Sequence, residues 1–321
     1  MQWPTRAELW GERLPQIYRA YADVARAIAH FEPVVMVARP EDERQARLVC
    51  GHDIEMAPLP IDDSWSRDTG PIFVTDGKGG VAGVHWPFNA WGNAYPHYEN
   101  DAAVGRRILE RLGMRVYAGP MVLEGGSVCV DGQGTLLTTE ECLLSDTRNP
   151  ELTRQEIEEI LALFFGIRKV VWLGLGLEDD ETGGHVDMIA CFARPGRILL
   201  HMPDDKSDPN YARMMDNRAR LTHETDAQGR PFEIIEVPQP AEQFRRTDGR
   251  RLCTSYINFY IANGGIVMPA YNDPHDAAAA RIIGAAFPGR EIVQVPGLDI
   301  AHGGGNIHCI TQQQPAGAAL K

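Results

Sequence analysis

Gly303-Gly304-Gly305-Asn306-Ile307-His308-Cys309-Ile310-Thr311 is the stretch around which the rest of the chain is organised. Three successive glycines remove side-chain bulk, so backbone there can approach a small ligand closely. The apolar, β-prone run that follows predicts a short strand with Cys309 near its start. A thiol held on a strand beside a glycine floor fits a nucleophile in a tight pocket. A lone buried cysteine also serves simply as a small hydrophobe, so the reading depends on which other groups the chain supplies.

Working outward, the 321 residues carry 31 Lys and Arg against 44 Asp and Glu, a formal net charge of −13. That balance argues against nucleic acid or an anionic membrane as partner and favours a cationic small molecule. The opening Met1-Gln2-Trp3-Pro4-Thr5-Arg6-Ala7-Glu8 lacks a secretory apolar core, and no apolar run is long enough to span a bilayer. Six scattered cysteines without a CxxC spacing read as reduced thiols and predict a cytoplasmic protein. No linker divides the chain, so one catalytic domain over 1–321 is expected, with homo-oligomerisation left open.

The periodicity predicts a helix over 12–30 with Ile17, Tyr21, Val24 and Ile28 on one face. Further helices are expected over 41–50 (Leu48 and Val49 inward), over 101–112 (Val104, Ile108 and Leu112 inward), from a Thr153/Glu156 capping box to Gly166, over 210–224, and from Asp273-Pro274 to Phe287. Strands are expected at 34–38, 54–59, 72–74, 128–130, 135–139, 170–173, 188–193, 197–201, 232–237 and 292–295. A hairpin pairs 256–260 with 266–269 about Asn263-Gly264-Gly265. The rhythm of strand pair, helix, strand recurs and predicts an α/β fold of repeated ββαβ-like units.

Three polar motifs fall at strand edges or in loops of different units. Asp68 sits in Trp65-Ser66-Arg67-Asp68-Thr69-Gly70-Pro71, Glu124 in Leu123-Glu124-Gly125-Gly126-Ser127, and His185 with Asp187 in Asp180-Glu181-Thr182-Gly183-Gly184-His185-Val186-Asp187. Taken singly, each also reads as a capped turn or a satisfied polar pair. On a strand, His185 and Asp187 would share a face. His185 and Asp187 with His302, His308 or Cys309 are also metal-ligand types, but His308 and Cys309, as strand neighbours, would face opposite sides. Together the motifs supply a nucleophile (Cys309), an acid/base (His185) and three carboxylates. A Cys–His pair needs at most one carboxylate to orient its imidazole. The surplus suits a planar guanidinium, whose N–H donors pair with carboxylates on opposite edges.

These motifs, with Phe88-Asn89-Ala90-Trp91-Gly92, Ser255-Tyr256-Ile257-Asn258-Phe259-Tyr260-Ile261-Ala262-Asn263-Gly264 and the terminal Gln312-Gln313-Gln314-Pro315, resemble the agmatine deiminase / bacterial peptidyl-arginine deiminase-type family of guanidine-modifying enzymes. The resemblance runs from about residue 30 to 315. It implies the pentein fold, a five-bladed pseudo-symmetric α/β propeller of ββαβ units around a central site. It further implies Cys309 as nucleophile, His185 as general acid/base, Glu124 as the imidazole's partner, and Asp68 and Asp187 as guanidinium clamps. Trp65, Trp91, Gly304 and Gly305 would wall the pocket. The implied reaction is hydrolytic deimination, agmatine to N-carbamoylputrescine and ammonia, with no metal or organic cofactor. Deimination of another guanidine, amidino transfer, and a guanidinium-binding protein without catalysis are the alternatives. Gly183 stands where many relatives carry Asp or Asn, and the loop after Trp91 is shorter than in established agmatine deiminases. Both changes fall where the substrate's tail would be read.

Overall fold

In the computed structural model, which describes residues 1–246 and 248–320, five small sheets follow one another along the chain. In the first, β1 (Val35–Ala38) lies parallel to β2 (Glu55–Pro58), joined through a helix over Glu43–Cys50. The next four share one plan: a hairpin, a crossover helix, and a third strand parallel to the hairpin's second. They are β3 (Ile72–Thr75), β4 (Gly80–His85) and β5 (Val116–Ala118) with helix Glu99–Arg111, and β6 (Cys129–Val130), β7 (Thr135–Thr139) and β8 (Lys169–Leu173) with helix Arg154–Phe165. Then follow β9 (Ala190–Arg194), β10 (Arg197–Met202) and β11 (Glu233–Pro238) with helix Pro209–His223, and β12 (Tyr260–Ala262), β13 (Gly265–Ala270) and β14 (Glu291–Pro296) with helix Asp276–Ala286. A parallel pair needs a long crossover, and an amphipathic helix covers the sheet while making it. Finally, β15 (Ala318–Ala319) pairs with the start of β4. The repeated units match the α/β class, and their number, which the rhythm of the sequence left open, agrees with a five-unit pentein.

Local signals act where they were expected. Thr153 and Glu156 form the reciprocal capping box, and Gly166 closes the same helix in the left-handed conformation that glycine adopts without strain. The long helix, Leu14–Ala29, buries Ile17, Tyr21, Val24 and Ile28. Three expectations need correction. In Glu43–Cys50 the inward residues are Ala46 and Cys50, while Leu48 is 76% exposed, because a helix this short presents only one narrow stripe to its sheet. In Glu99–Arg111 Val104 is buried as expected, but its fully buried companion is Leu109, seated over Gly83 of β4, with Ile108 and Leu112 only half-buried. A side chain at 83 would overlap Leu109, so the glycine admits a burial that contributes about 2 kcal/mol. Tyr256 and Ile257 form a turn, 258–259 are irregular, and the hairpin's first arm begins only at Tyr260. Tyr256 is fully buried with its hydroxyl donating to Asp276, which holds it away from a ladder position.

Candidate active site

The site begins with a strap across the chain. After β2 the backbone makes one helical turn, Ser66–Thr69. Ser66 Oγ donates to the Ile310 carbonyl (2.6 Å), Arg67 N to the Cys309 carbonyl (3.0 Å) and Arg67 Nε to the His308 carbonyl (3.3 Å). These bonds fix Asp68 against the cysteine segment. Asp68 is buried, accepting from Trp91 Nε1 at Oδ2 (3.0 Å) and from Gly126 N at Oδ1 (2.9 Å). Burial, with Asp187 and Glu124 nearby, outweighs the His185 charge and raises its pKa to about 6.

His185 and Asp187 do not lie on a strand. Gly183 and Gly184 both take positive φ, and residues Val186–Met188 form a single 3-10 turn before β9. The two side chains converge nonetheless, because both point at Gly126. A Cβ on Gly126 would stand 2.6 Å from His185 Nδ1 and 3.0 Å from both Asp187 Oδ2 and Asp68 Oδ1. Glycine is required there for packing, not for its φ. The imidazole is fully buried and neither ring nitrogen has a hydrogen-bond partner. Burial opposes its charged form, but Asp68, Cys142 and Glu124 more than compensate and hold its pKa well above the ordinary value. Asp187 Oδ2 accepts from His308 Nδ1 (2.7 Å), and Oδ1 is buried without a partner. The His308 bond and surrounding positive groups overcome burial and keep Asp187 below the usual carboxylate range.

Cys309 is also off the expected strand. Residues 307–310 form turns, and Thr311 Oγ1 ties the turn by donating to the Ile307 carbonyl (2.8 Å). On this turn His308 and Cys309 are not opposed. His308 Nδ1 and Cys309 Sγ both approach Asp187 Oδ2, the sulfur at 3.6 Å. Asn258 Oδ1 accepts from His308 N (3.0 Å) and lies 3.4 Å from Sγ. The thiol is 3% exposed, and burial together with Asp187 and Asp68 pushes its pKa well up. It rests as a neutral thiol.

Glu124 stands 4.0 Å from His185 Nε2, beyond hydrogen-bond reach. Its direct partner is Arg148, whose Nε donates to Oε1 at 2.7 Å. The sequence pointed to Glu124 as the imidazole's partner and gave no role to Arg148. Its Nη2 also holds the Thr182 carbonyl (2.6 Å), so it braces the loop that carries His185. Asn258 lay inside a quoted motif without a role, and His308 was weighed only as a metal ligand; adjacency to Cys309 was the available signal for His308, whereas Asn258, 51 positions from the cysteine, gave none.

A narrow cavity of about 20 Å³ opens over the thiol, lined by Trp65, Asp68, Trp91, Tyr95, Glu181, Thr182, Gly303, Gly304, Gly305 and Cys309. All four expected wall residues are present. Gly305 lets backbone pass beside Trp65 and the sulfur, since a Cβ there would stand 2.9 Å from Sγ. Trp91 takes a left-handed φ of 54°, stabilised by Asn89 accepting from Gly92 N, and this aims its indole N–H at Asp68. At the mouth, Glu181 accepts from Tyr95 and pairs with Arg246 (2.8 Å). His302, one of the considered metal ligands, lies apart from this cavity, beside Arg13 and Asp299.

The sequence matches the family of Porphyromonas-type peptidyl-arginine deiminases over residues 1–315. The chain belongs to that family. It is similar to the agmatine deiminase of Stutzerimonas stutzeri, with 45% identity covering 98% of this chain and 92% of the relative. Among solved structures it resembles the agmatine deiminase of Enterococcus faecalis, with a TM-score of 0.95, 37% identity and coverage of 98% and 92%. It also resembles a C. jejuni agmatine deiminase with substrate bound, with a TM-score of 0.89, 27% identity and coverage of 99% and 92%. Within this family the buried thiol, the imidazole and the flanking carboxylates of the present chain form one contiguous constellation around Gly126 and Gly305. No helix among the described residues is long and apolar enough to cross a membrane.

Proposed function

We propose that this chain is an agmatine deiminase acting in the cytoplasm, with its whole length serving as one catalytic domain. The observation that carries the chemistry is the buried acceptor pair Asp68 and Asp187 flanking the Cys309 sulfur, with Asp187 Oδ1 left without a partner. A guanidinium offers planar N–H donors that satisfy such acceptors on two edges and hold its central carbon over the thiol. Relatives at about 45% identity named for agmatine support the substrate.

The thiol and the cation activate each other. Burial, with the carboxylates of Asp187 and Asp68, holds the free thiol neutral. The bound cation neutralises these carboxylates, so the thiol loses its proton to solvent, and the thiolate attacks the guanidinium carbon as a C–N π pair moves onto nitrogen. His185, held protonated by its surroundings, gives its proton to the departing nitrogen, and ammonia leaves. An S-amidino enzyme remains. Neutral His185 then takes a proton from water as the oxygen adds to the same carbon. The second adduct expels the thiolate, which regains a proton from the adduct's hydroxyl, and the C=O of the ureido product forms, N-carbamoylputrescine for agmatine. Glu124, fixed by Arg148, stands behind the imidazole, and Trp65, Trp91, Gly304 and Gly305 shape the walls.

Ammonia release from agmatine, free arginine, a peptide with terminal arginine and simple alkylguanidines, without an acceptor amine, tests the proposal. Agmatine should be preferred, and Cys309→Ala should release none while melting like the parent. Turnover of agmatine by Cys309→Ala, or ammonia release only with another guanidine, would overturn it.

A further inference from the structure

Behind the catalytic imidazole, on the side away from Asp68, lies a third potential ligand that the deimination chemistry does not use. Cys142 sits in the helical turn Glu140–Leu143 and is fully buried. Thr139 caps that turn, accepting from Cys142 N (3.2 Å), and donates to the Gly184 carbonyl (2.6 Å). The thiol's turn is therefore tied to the residue preceding His185. Glu124, Cys142 and His185 each bring a ligand atom within 4.8 Å of the others, and all three residues are buried. Two of these groups are incomplete as they stand. Glu124 Oε2 and both His185 ring nitrogens are buried without hydrogen-bond partners, since Arg148 takes only Oε1. Buried polar atoms left open in this way are uncommon and call for an occupant.

A thiolate, an imidazole nitrogen and a carboxylate oxygen make a donor set suited to zinc. Around a tetrahedral zinc, bonds of about 2.0–2.3 Å separate the ligand atoms by roughly 3.5 Å. The observed spread, up to 4.8 Å, closes to that with side-chain shifts of about 1 Å. Charge agrees once the metal displaces the His185 proton: Asp68 lies 3.8 Å from the other imidazole nitrogen, so the dication meets two carboxylates, Glu124 and Asp68, against the Arg148 guanidinium.

We propose that Glu124, Cys142 and His185 form an inhibitory zinc site, in which the metal takes the imidazole out of the deimination cycle. The Cys142 proton, and the His185 proton when present, leave to solvent as the Zn–S and Zn–N bonds form, and water completes the coordination. Because all three ligands are buried, entry requires local opening, and inhibition develops slowly after mixing. The effect on activity rests on the proposed deiminase function, but metal binding does not.

Two arms test this. In the first, Cys309→Ala protein is titrated with Co²⁺ as a zinc surrogate. One equivalent should bind with a thiolate-to-cobalt charge-transfer band, and the band should vanish in Cys309→Ala/Cys142→Ala. In the second, Zn²⁺ is incubated with active enzyme and ammonia release followed. Slow inhibition reversed by chelator is expected, and Cys142→Ala, measured against its own zinc-free rate, should need at least tenfold more zinc for the same fractional loss. Cys142→Ser, with a weaker ligand and closer shape, should fall between the two if the alanine variant melts early. Equal zinc sensitivity of parent and Cys142→Ala would place the metal on Cys309 and overturn the site, as would a cobalt band surviving the double replacement or failing to appear in Cys309→Ala. If no guanidine is turned over, the deiminase reading fails while the cobalt arm still decides the metal site.

Discussion

Lowering the pH should switch off one of the two guanidinium clamps and leave the other on. Asp68 has its pKa raised to about 6, chiefly by burial, whereas His308 and neighbouring charges hold Asp187 low. A guanidinium needs both carboxylates ionised. At pH 5 only about one Asp68 in eleven is charged if its pKa is about 6, so kcat/KM at low substrate should be about tenfold below its plateau. In Asp68→Asn the plateau should fall by roughly 100-fold, since one charged partner of a desolvated pair is lost, and the acid limb near pH 6 should disappear. Stability shifts the opposite way. The folded pKa lies above the unfolded one, so protonation of Asp68 stabilises the fold; this contribution is full below about pH 3.8 and is lost as pH rises through about 6. From 6 − 3.8 ≈ 2, the wild type should lose about 2 to 3 kcal/mol relative to Asp68→Asn between pH 4 and pH 8. Initial-rate profiles and denaturant melts of both proteins across that range provide the assay. An acid limb unchanged in Asp68→Asn would refute the assignment, because the titrating group would then lie elsewhere.

Two further changes probe the supporting structure. Gly126→Ala places a methyl 2.6 Å from His185 Nδ1 and should cut kcat by about 100-fold or more while costing only about 1–3 kcal/mol of stability; near-wild-type kcat would mean that the imidazole is free to move. Arg148→Met strips the buried Glu124 of its partner and should destabilise the fold by about 3–5 kcal/mol, with much of the loss recovered in Arg148→Met/Glu124→Gln; equal destabilisation of single and double variants in urea melts would show that packing of the arginine stem, not charge, matters.

Much of this protein was legible locally. The Thr153/Glu156 capping box and the face of Leu14–Ala29 depend on residues three or four apart, so they stand in the sequence and recur in the fold. The family was legible from motif order, and so were the residue types that the structure brings together at the candidate site. Local conformation at the site was not. Strand pattern was read at both 185–187 and 307–311, yet both are turns, because tertiary hydrogen bonds such as Asn258 to His308 N override β-propensity there. Glu124 was paired with His185, whereas its closest contact is Arg148, 24 positions on.

The amino-acid sequence by itself determined the repeated strand–helix rhythm, the helix ends, and the presence of one thiol, one imidazole and three carboxylates in motifs of a guanidine-modifying family. Only the tertiary structure decided that these groups meet: Arg67 N reaches the Cys309 carbonyl, and Gly126 leaves room for three side chains from two different units. The reason is one of range. Periodicity and capping register free energies between near neighbours, whereas this site is made of contacts from 23 to more than a hundred positions apart, such as Trp91 to Asp68 and Cys309 to Asp187, which no local pattern encodes.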